Sequence, residues 1–194
     1  MLHIKSGEQL IGKCPPRITP SQKVIVKDTW QILKLNIANV GVKTFVGMFE
    51  SRPELIQIFG AFDGQELPSL QHSGLIHEHA LRVMATVDAV VTQIDDRRTL
   101  ARTLKDVGQK HRKYNVPSNI IPTILPHFLV AIKPHIDATW SDEVSESWTA
   151  LFDILIYYMT EGELQNSVPI NSGHSACRNV DNHEHNCNGS RHKS

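Results

Sequence analysis

Two histidines raise the first chemical question, because each stands where an aliphatic residue would continue an apolar helical face. His111 follows Leu100, Leu104 and Val107 at helical spacing, and His79 lies one turn before Val83 on a second apolar face. A buried imidazole needs a hydrogen-bond or metal partner. Taken alone, either is more often a satisfied core histidine than a ligand. Together, 32 residues apart on consecutive antiparallel helices, the two can clamp a planar metal cofactor, with Phe45, Phe59 and Val83 as walls that exclude water.

Other candidate ligands fit less well. His77-Glu78-His79 opens like a zinc-protease motif, but that motif needs a second histidine at position 81, where Leu81 stands. On a helix His77 points about 200° away from His79, toward solvent. His72 falls in a loop or first turn and is not expected to ligate. Near the C-terminus His174, Cys177, His183, His185, Cys187 and His192 are competent zinc or copper ligands. Their spacing matches no structural zinc module, and a solvated tail is the expectation.

The elements that must position these side chains are helical. Thr19-Pro20-Ser21-Gln22 has the form of a capping box with proline at the first helical position. Val26, Trp30, Leu33 and Ile37 then mark one face. A second helix is expected over residues 39–52, with Val42, Phe45 and Phe49 inward and Gly41 placed for close approach of another backbone. Pro53 opens a short helix ending at Phe59, followed by a loop with Asp63-Gly64 and Pro68. A long helix over 70–94 turns Leu75, His79, Val83, Val87 (or Thr86), Val90 and Ile94 inward. The helix bearing His111 follows Asp95-Asp96. Residues 118–136 are apolar but hold Pro122, Pro126 and Pro134; Pro122 suits a first turn, and Pro126 is expected to kink the helix. The last helix starts at Ser141-Asp142-Glu143, buries Val144, Trp148, Leu151, Leu155 and Met159, and is expected to end at Gly162. No clean period-2 strand occurs, so the fold class is all-α.

Composition bounds the partners. Hydrophobic residues make up 40% of the 194 positions and charged residues 21%, as in an ordinary soluble domain. Twenty basic residues balance twenty acidic ones, and no strong basic stripe is read, so neither nucleic acid nor membrane is expected as a partner. There is no signal-like apolar run, no myristoylation start, and no stretch near the ~18 apolar residues of a membrane span. Three cysteines, Cys14, Cys177 and Cys187, do not form a disulfide framework. A cytoplasmic location follows as the expectation. The chain divides into an N-terminal extension (1–18), a helical domain (19–164) and a tail (165–194) with six Asn, four His and no Phe, Tyr or Trp, expected to be disordered.

The ordered set of motifs resembles the globin family. The run FVGMFESRPELIQIF at 45–59 looks like the second and third globin helices, with Pro53 and Phe59 at the family's proline and haem-packing phenylalanine. HALRVM at 79–84 matches the distal histidine and the valine one turn later, and VGQKH at 107–111 matches the proximal-histidine helix. Trp30 and Trp148 fall where globins often carry tryptophan. The match spans roughly 20–162; the segment 118–136 departs from it. Within the family, RVMATVDAVVT at 82–92 together with VGQKHR is most similar to neuroglobin-like and invertebrate nerve-type globins.

The resemblance implies a globin fold around haem b. His111 would be the proximal iron ligand, with its Nδ1–H held by a backbone carbonyl. His79 would be the distal residue, either ligating the iron or hydrogen-bonding bound gas, with bis-histidyl ligation the favoured case. Phe45, Phe59, Val83 and Val107 would contact the haem. Arg82 would pair with a propionate, or else be a solvated charge; Lys110 would be plain surface. The expected partners are O₂ or another diatomic gas and an unidentified electron-transfer partner, with redox or gas sensing as the role. An O₂ store or a haem enzyme acting on nitric oxide, nitrite or peroxide is the alternative, and such an enzyme would need an external reductant.

Overall fold

The computed structural model describes residues 14–59 and 73–164. The Asp63-Gly64 and Pro68 loop, His72, the expected helix start at 70–72 and the tail with its His and Cys ligands lie outside the described residues, as do the first 13 positions. Among the described residues all regular structure is helical.

Helix α1 (Pro20–Leu33) begins with the capping box: Gln22 N–H donates to Thr19 Oγ1 at 3.2 Å and Thr19 N–H to Gln22 Oε1 at 2.9 Å. A 3₁₀ turn at Lys34–Asn36 leads into α2 (Ile37–Ser51), and Pro53–Ile58 forms a second 3₁₀ turn. Helix α3 (Gly74–Thr92) is capped by Ser73 and α4 (Arg97–Lys113) by Asp96, whose carboxylate accepts from the Arg98 and Thr99 N–H groups. Helices α5 (Ile124–Ile132) and α6 (Asp142–Leu164) complete the fold.

Three expectations need correction. In the first half of α3 the buried row is Ile76, Ala80 and Met84, one position after the expected Leu75, His79 and Val83, and Leu75 is exposed, whereas Val87, Val90 and Ile94 are buried as expected. Pro126 does not kink a helix. A 3₁₀ turn at Ile121–Thr123 takes Pro122, α5 starts at Ile124 so that Pro126 falls in its first turn, and Pro134 sits in another 3₁₀ turn at Lys133–His135. Each proline therefore lies where the missing N–H would have had no intrahelical partner. Gly162 does not end the last helix, which continues to Leu164.

The core has two parts. The larger gathers Val26, Trp30, Leu33, Leu104, Phe128, Ile132, Trp148, Leu151 and Phe152 from α1, α4, α5 and α6, with the middle of α3. Its tryptophans are satisfied: Trp148 Nε1–H donates to Thr29 Oγ1 at 3.1 Å, and Trp30 Nε1–H to Asp88 Oδ1 at 2.7 Å. The smaller joins Phe45, Met48 and Phe49 of α2, Leu55, Ile76 and Ala80 of α3, and Ile120. Ile18 already packs against the larger core.

Two glycines set the helix crossings. A Cβ on Gly41 would stand 3.1 Å from Ala80 Cβ, so α2 meets the Ala80–Met84 side of α3 at close range. A Cβ on Gly108 would overlap the Met159 carbonyl, 2.7 Å from its carbon, so α4 and α6 touch backbone to backbone. The helical run Pro20–Ser51 is long and apolar enough to cross a bilayer by length and composition alone, but its largest apolar side chains, among them Trp30 and Phe49, are core residues.

Candidate functional site

The phase of α3 decides where His79 points. Because Ile76, Ala80 and Met84 fill the contact with α2, the adjacent row of His79 and Val83 lies at the border of the core, half-buried. His79 sits in an aromatic corner, edge-on to Phe45 at 4.9 Å and to Phe59 at 5.2 Å between ring centroids. Phe49 backs this corner at 5.2 Å from Phe59. No hydrogen bond joins His79 to another described residue.

Burial pushes the His79 pKa down to about 4, helped by the positive charge of Arg82 and by His111. The ring is thus neutral near pH 7, with a lone pair free to act as ligand or acceptor. The electrostatic effect of His111 on His79 also places the two imidazoles in one neighbourhood.

His111 is half-buried near the end of α4, and its Nδ1 lies 2.9 Å from the Val107 carbonyl oxygen. A carbonyl only accepts, so Nδ1 carries the proton, which leaves Nε2 as the nitrogen that can ligate. A backbone carbonyl thus fixes both the tautomer and the ring plane, as a second partner does for metal-bound histidines.

The helices bearing these histidines diverge. Helices α2 and α3 pair extensively, as do α4 and α6, whereas α3 and α4 share few contacts. Thr103 of α4 donates its hydroxyl to Gln93 Oε1, just past the end of α3, at 2.9 Å. Val83 packs against both cores and Val107 against the larger. Arg82 is exposed one turn from His79.

The expected set is therefore brought together in two groups, Phe45, Phe59, His79 and Val83 on one side, Val107 and His111 on the other. Among the described residues no group of three or more His, Cys, Asp or Glu could cage a metal ion. A metal held by His79 and His111 would need its remaining donors from a ligand such as a porphyrin, which supplies four in a plane. His77 is exposed, as expected. Sequence reasoning missed Ile120, which closes the smaller core from beyond α4, and Gly108, which seats the His111 helix on α6. The glycine between Val107 and His111 was a legible signal; Ile120 lay in the segment obscured by prolines.

The Globin family model matches residues 42–159, more than half of the chain. Neuroglobin from Danio rerio is 24% identical over 151 residues, covering 77% of this chain and 95% of that protein. Cytoglobin-2 from the same fish is 28% identical over 148 residues, 75% of this chain and 83% of that protein. An anaerobic nitrite reductase of Casuarina glauca is 26% identical, covering 72% and 93%. A crystal structure described as a hexacoordinated heme protein from an anhydrobiotic tardigrade superposes with a TM-score of 0.70 at 17% identity, over 75% of this chain and 95% of that one, a likeness of fold. Diverging helices with inward histidines and a family match spanning both agree with the resemblance read from sequence: the chain belongs to the globin family.

Proposed function

We propose that residues 19–164 form a haem b domain in which His111 Nε2 is the proximal iron ligand and His79 the distal ligand of the resting state. The observation that carries this reading is a pair of half-buried imidazoles on two helices with few mutual contacts, one with Nδ1 held by the Val107 carbonyl and the other in an aromatic corner with no hydrogen bond to a described residue. Haem would supply an iron that exchanges one electron and binds diatomic gases. Phe45, Phe59, Val83 and Val107 would exclude water from it, and Arg82 would meet a propionate at the opening.

With His79 as internal ligand, O₂ or another gas must compete for its place, which lowers apparent affinity in proportion to the open fraction. Two fixed imidazoles also keep the ligation unchanged between oxidation states. The role we assign is therefore redox or gas sensing, or electron transfer in the cytoplasm, with reversible O₂ binding open to it. Similarity to neuroglobin, and in fold to a protein titled as hexacoordinated, supports this reading. Similarity to plant proteins named anaerobic nitrite reductases supports a second one, nitrite reduction with an external reductant.

The deciding measurement is the visible spectrum of the ferrous, ligand-free protein. Sharp, split bands are expected from wild type and one broad band from His79→Leu. A six-coordinate spectrum unchanged by His79→Leu removes His79 as sixth ligand and turns attention to His77. Failure of the wild-type chain to give a Soret band with haem overturns the whole reading.

A further inference from the structure

Helix α4 carries a charge pattern that the neutral whole chain conceals. Its 17 residues hold seven Lys and Arg against one acid, Asp106, in a protein with twenty charges of each sign. This is the basic stripe that the overall balance had argued against. Leu100, Leu104, Val107 and His111 occupy one side of the helix. Arg98, Arg102 and Lys113 fall on the opposite side within about 60° of one another, and Lys110 flanks them. All four are exposed.

Local structure does not account for this charge. Lys105 pairs with Glu161 at 3.4 Å, and Arg97 bonds to Tyr158 Oη at 3.2 Å, so these two serve the packing of α4 on α6. Among the described residues no carboxylate lies at ion-pair distance from Arg98, Arg102, Lys110 or Lys113, although Arg102 is near enough to act on Asp96. Lys110 and Lys113 suit the negative end of the helix dipole. Arg98 sits in the first turn, which has no acidic residue, where a positive charge works against the dipole.

We propose that the solvent face of α4 is a docking surface for an acidic protein partner, engaged by Arg98, Arg102, Lys110 and Lys113. Asp106 favours a protein over a phosphate array. It stands in the middle of the ridge and would repel a continuous row of phosphates or anionic headgroups, whereas a protein can set a cation opposite it. A single convex helix about 25 Å long offers a small interface, so the contact is transient and salt-sensitive, strong in steering rather than in final affinity. The inference does not depend on the ligation of iron.

The test is calorimetric titration of the full chain with a 20-residue polyglutamate peptide at low and physiological salt. Wild type is expected to bind at low salt and to weaken about tenfold or more at physiological salt. The R98E/R102E/K113E variant should lose at least about tenfold in affinity while keeping its helical circular dichroism. If the triple reversal does not fold, R98Q/R102Q gives the same reading with a smaller loss. Absence of wild-type binding overturns the proposal, as does equal binding by the folded variants. So does tighter binding of phosphatidylserine vesicles or duplex DNA than of the peptide. A wild-type dimer that the reversal dissociates, with no peptide binding, also overturns it by making a second copy the occupant.

Discussion

The two parts of the core are built differently. The larger has a deep interior: Trp30, Trp148, Phe128 and Leu104 are fully buried, both of these indoles are hydrogen-bonded, and Gly108 lets α4 and α6 meet backbone to backbone. The smaller is fully buried only toward α2. Its outer layer of Phe59, His79 and Val83 is half-exposed, and His79 has no hydrogen bond to a described residue. Stability is concentrated where the surface is complementary and polar atoms are paired. The proposed haem site lies where the packing is left unfinished.

That contrast can be broken by four substitutions. Phe128→Ala removes a fully buried ring packed against Trp148 at 5.2 Å and Phe152 at 4.9 Å. It should cost about 3–5 kcal/mol in denaturant unfolding, with the ferrous spectrum of the folded fraction unchanged. Gly108→Ala forces a methyl into the Met159 backbone, which cannot step aside as a flexible side chain can. A loss of about 3 kcal/mol is expected, visible as a melting temperature lower by roughly 6–12 °C. Because α4 also carries His111, this variant should weaken haem retention too; unchanged stability would remove the claim that Gly108 sets the crossing.

Phe59→Ala, in the unfinished region, should do the reverse. About 1–2 kcal/mol of stability is expected to be lost, since the ring is only half-buried, but haem dissociation should accelerate and the distal ligand equilibrium should shift. Equal effects of Phe59→Ala and Phe128→Ala on haem spectra would erase the distinction between the regions.

The smallest effect concerns pH. The Asp88 carboxyl is held below its ordinary value of 3.8 by hydrogen bonds from Lys34 and Trp30. A depressed folded-state pKa means the unfolded chain takes up the proton first on acidification. The stabilisation is therefore complete above about pH 4 and is lost as pH falls through 3.8 and below. Asp88→Asn should lower the melting temperature slightly above pH 5, where the charged carboxyl stabilises, and converge with wild type as pH falls below 3.8, so that the acid limb is flatter.

Much of this molecule was legible because its signals are local. The Thr19 capping box, the helix start after Asp95-Asp96 and the Leu100–Leu104–Val107–His111 face depend on residues within a turn or two of one another, and the structure retains them. The carbonyl partner expected for His111 Nδ1 is Val107, also one turn away. The basic face of α4 was equally local, but summing charge over the chain cancelled it.

What the sequence by itself determined was that helices of these lengths would present His79 and His111 on inward-tending faces, since helical periodicity follows from the chain's own geometry. Tertiary structure decided the rest. Which of two adjacent rows of α3 enters the core depends on the partner helix, and Gly41 admits Ala80 and Met84, leaving His79 at the border where a ligand can be reached. The prolines of 118–136 needed the observed helix start at Ile124 before their positions made sense. The divergence of α3 from α4 follows from the stronger pairings of α3 with α2 and of α4 with α6, contacts between residues far apart in the chain that no local pattern encodes.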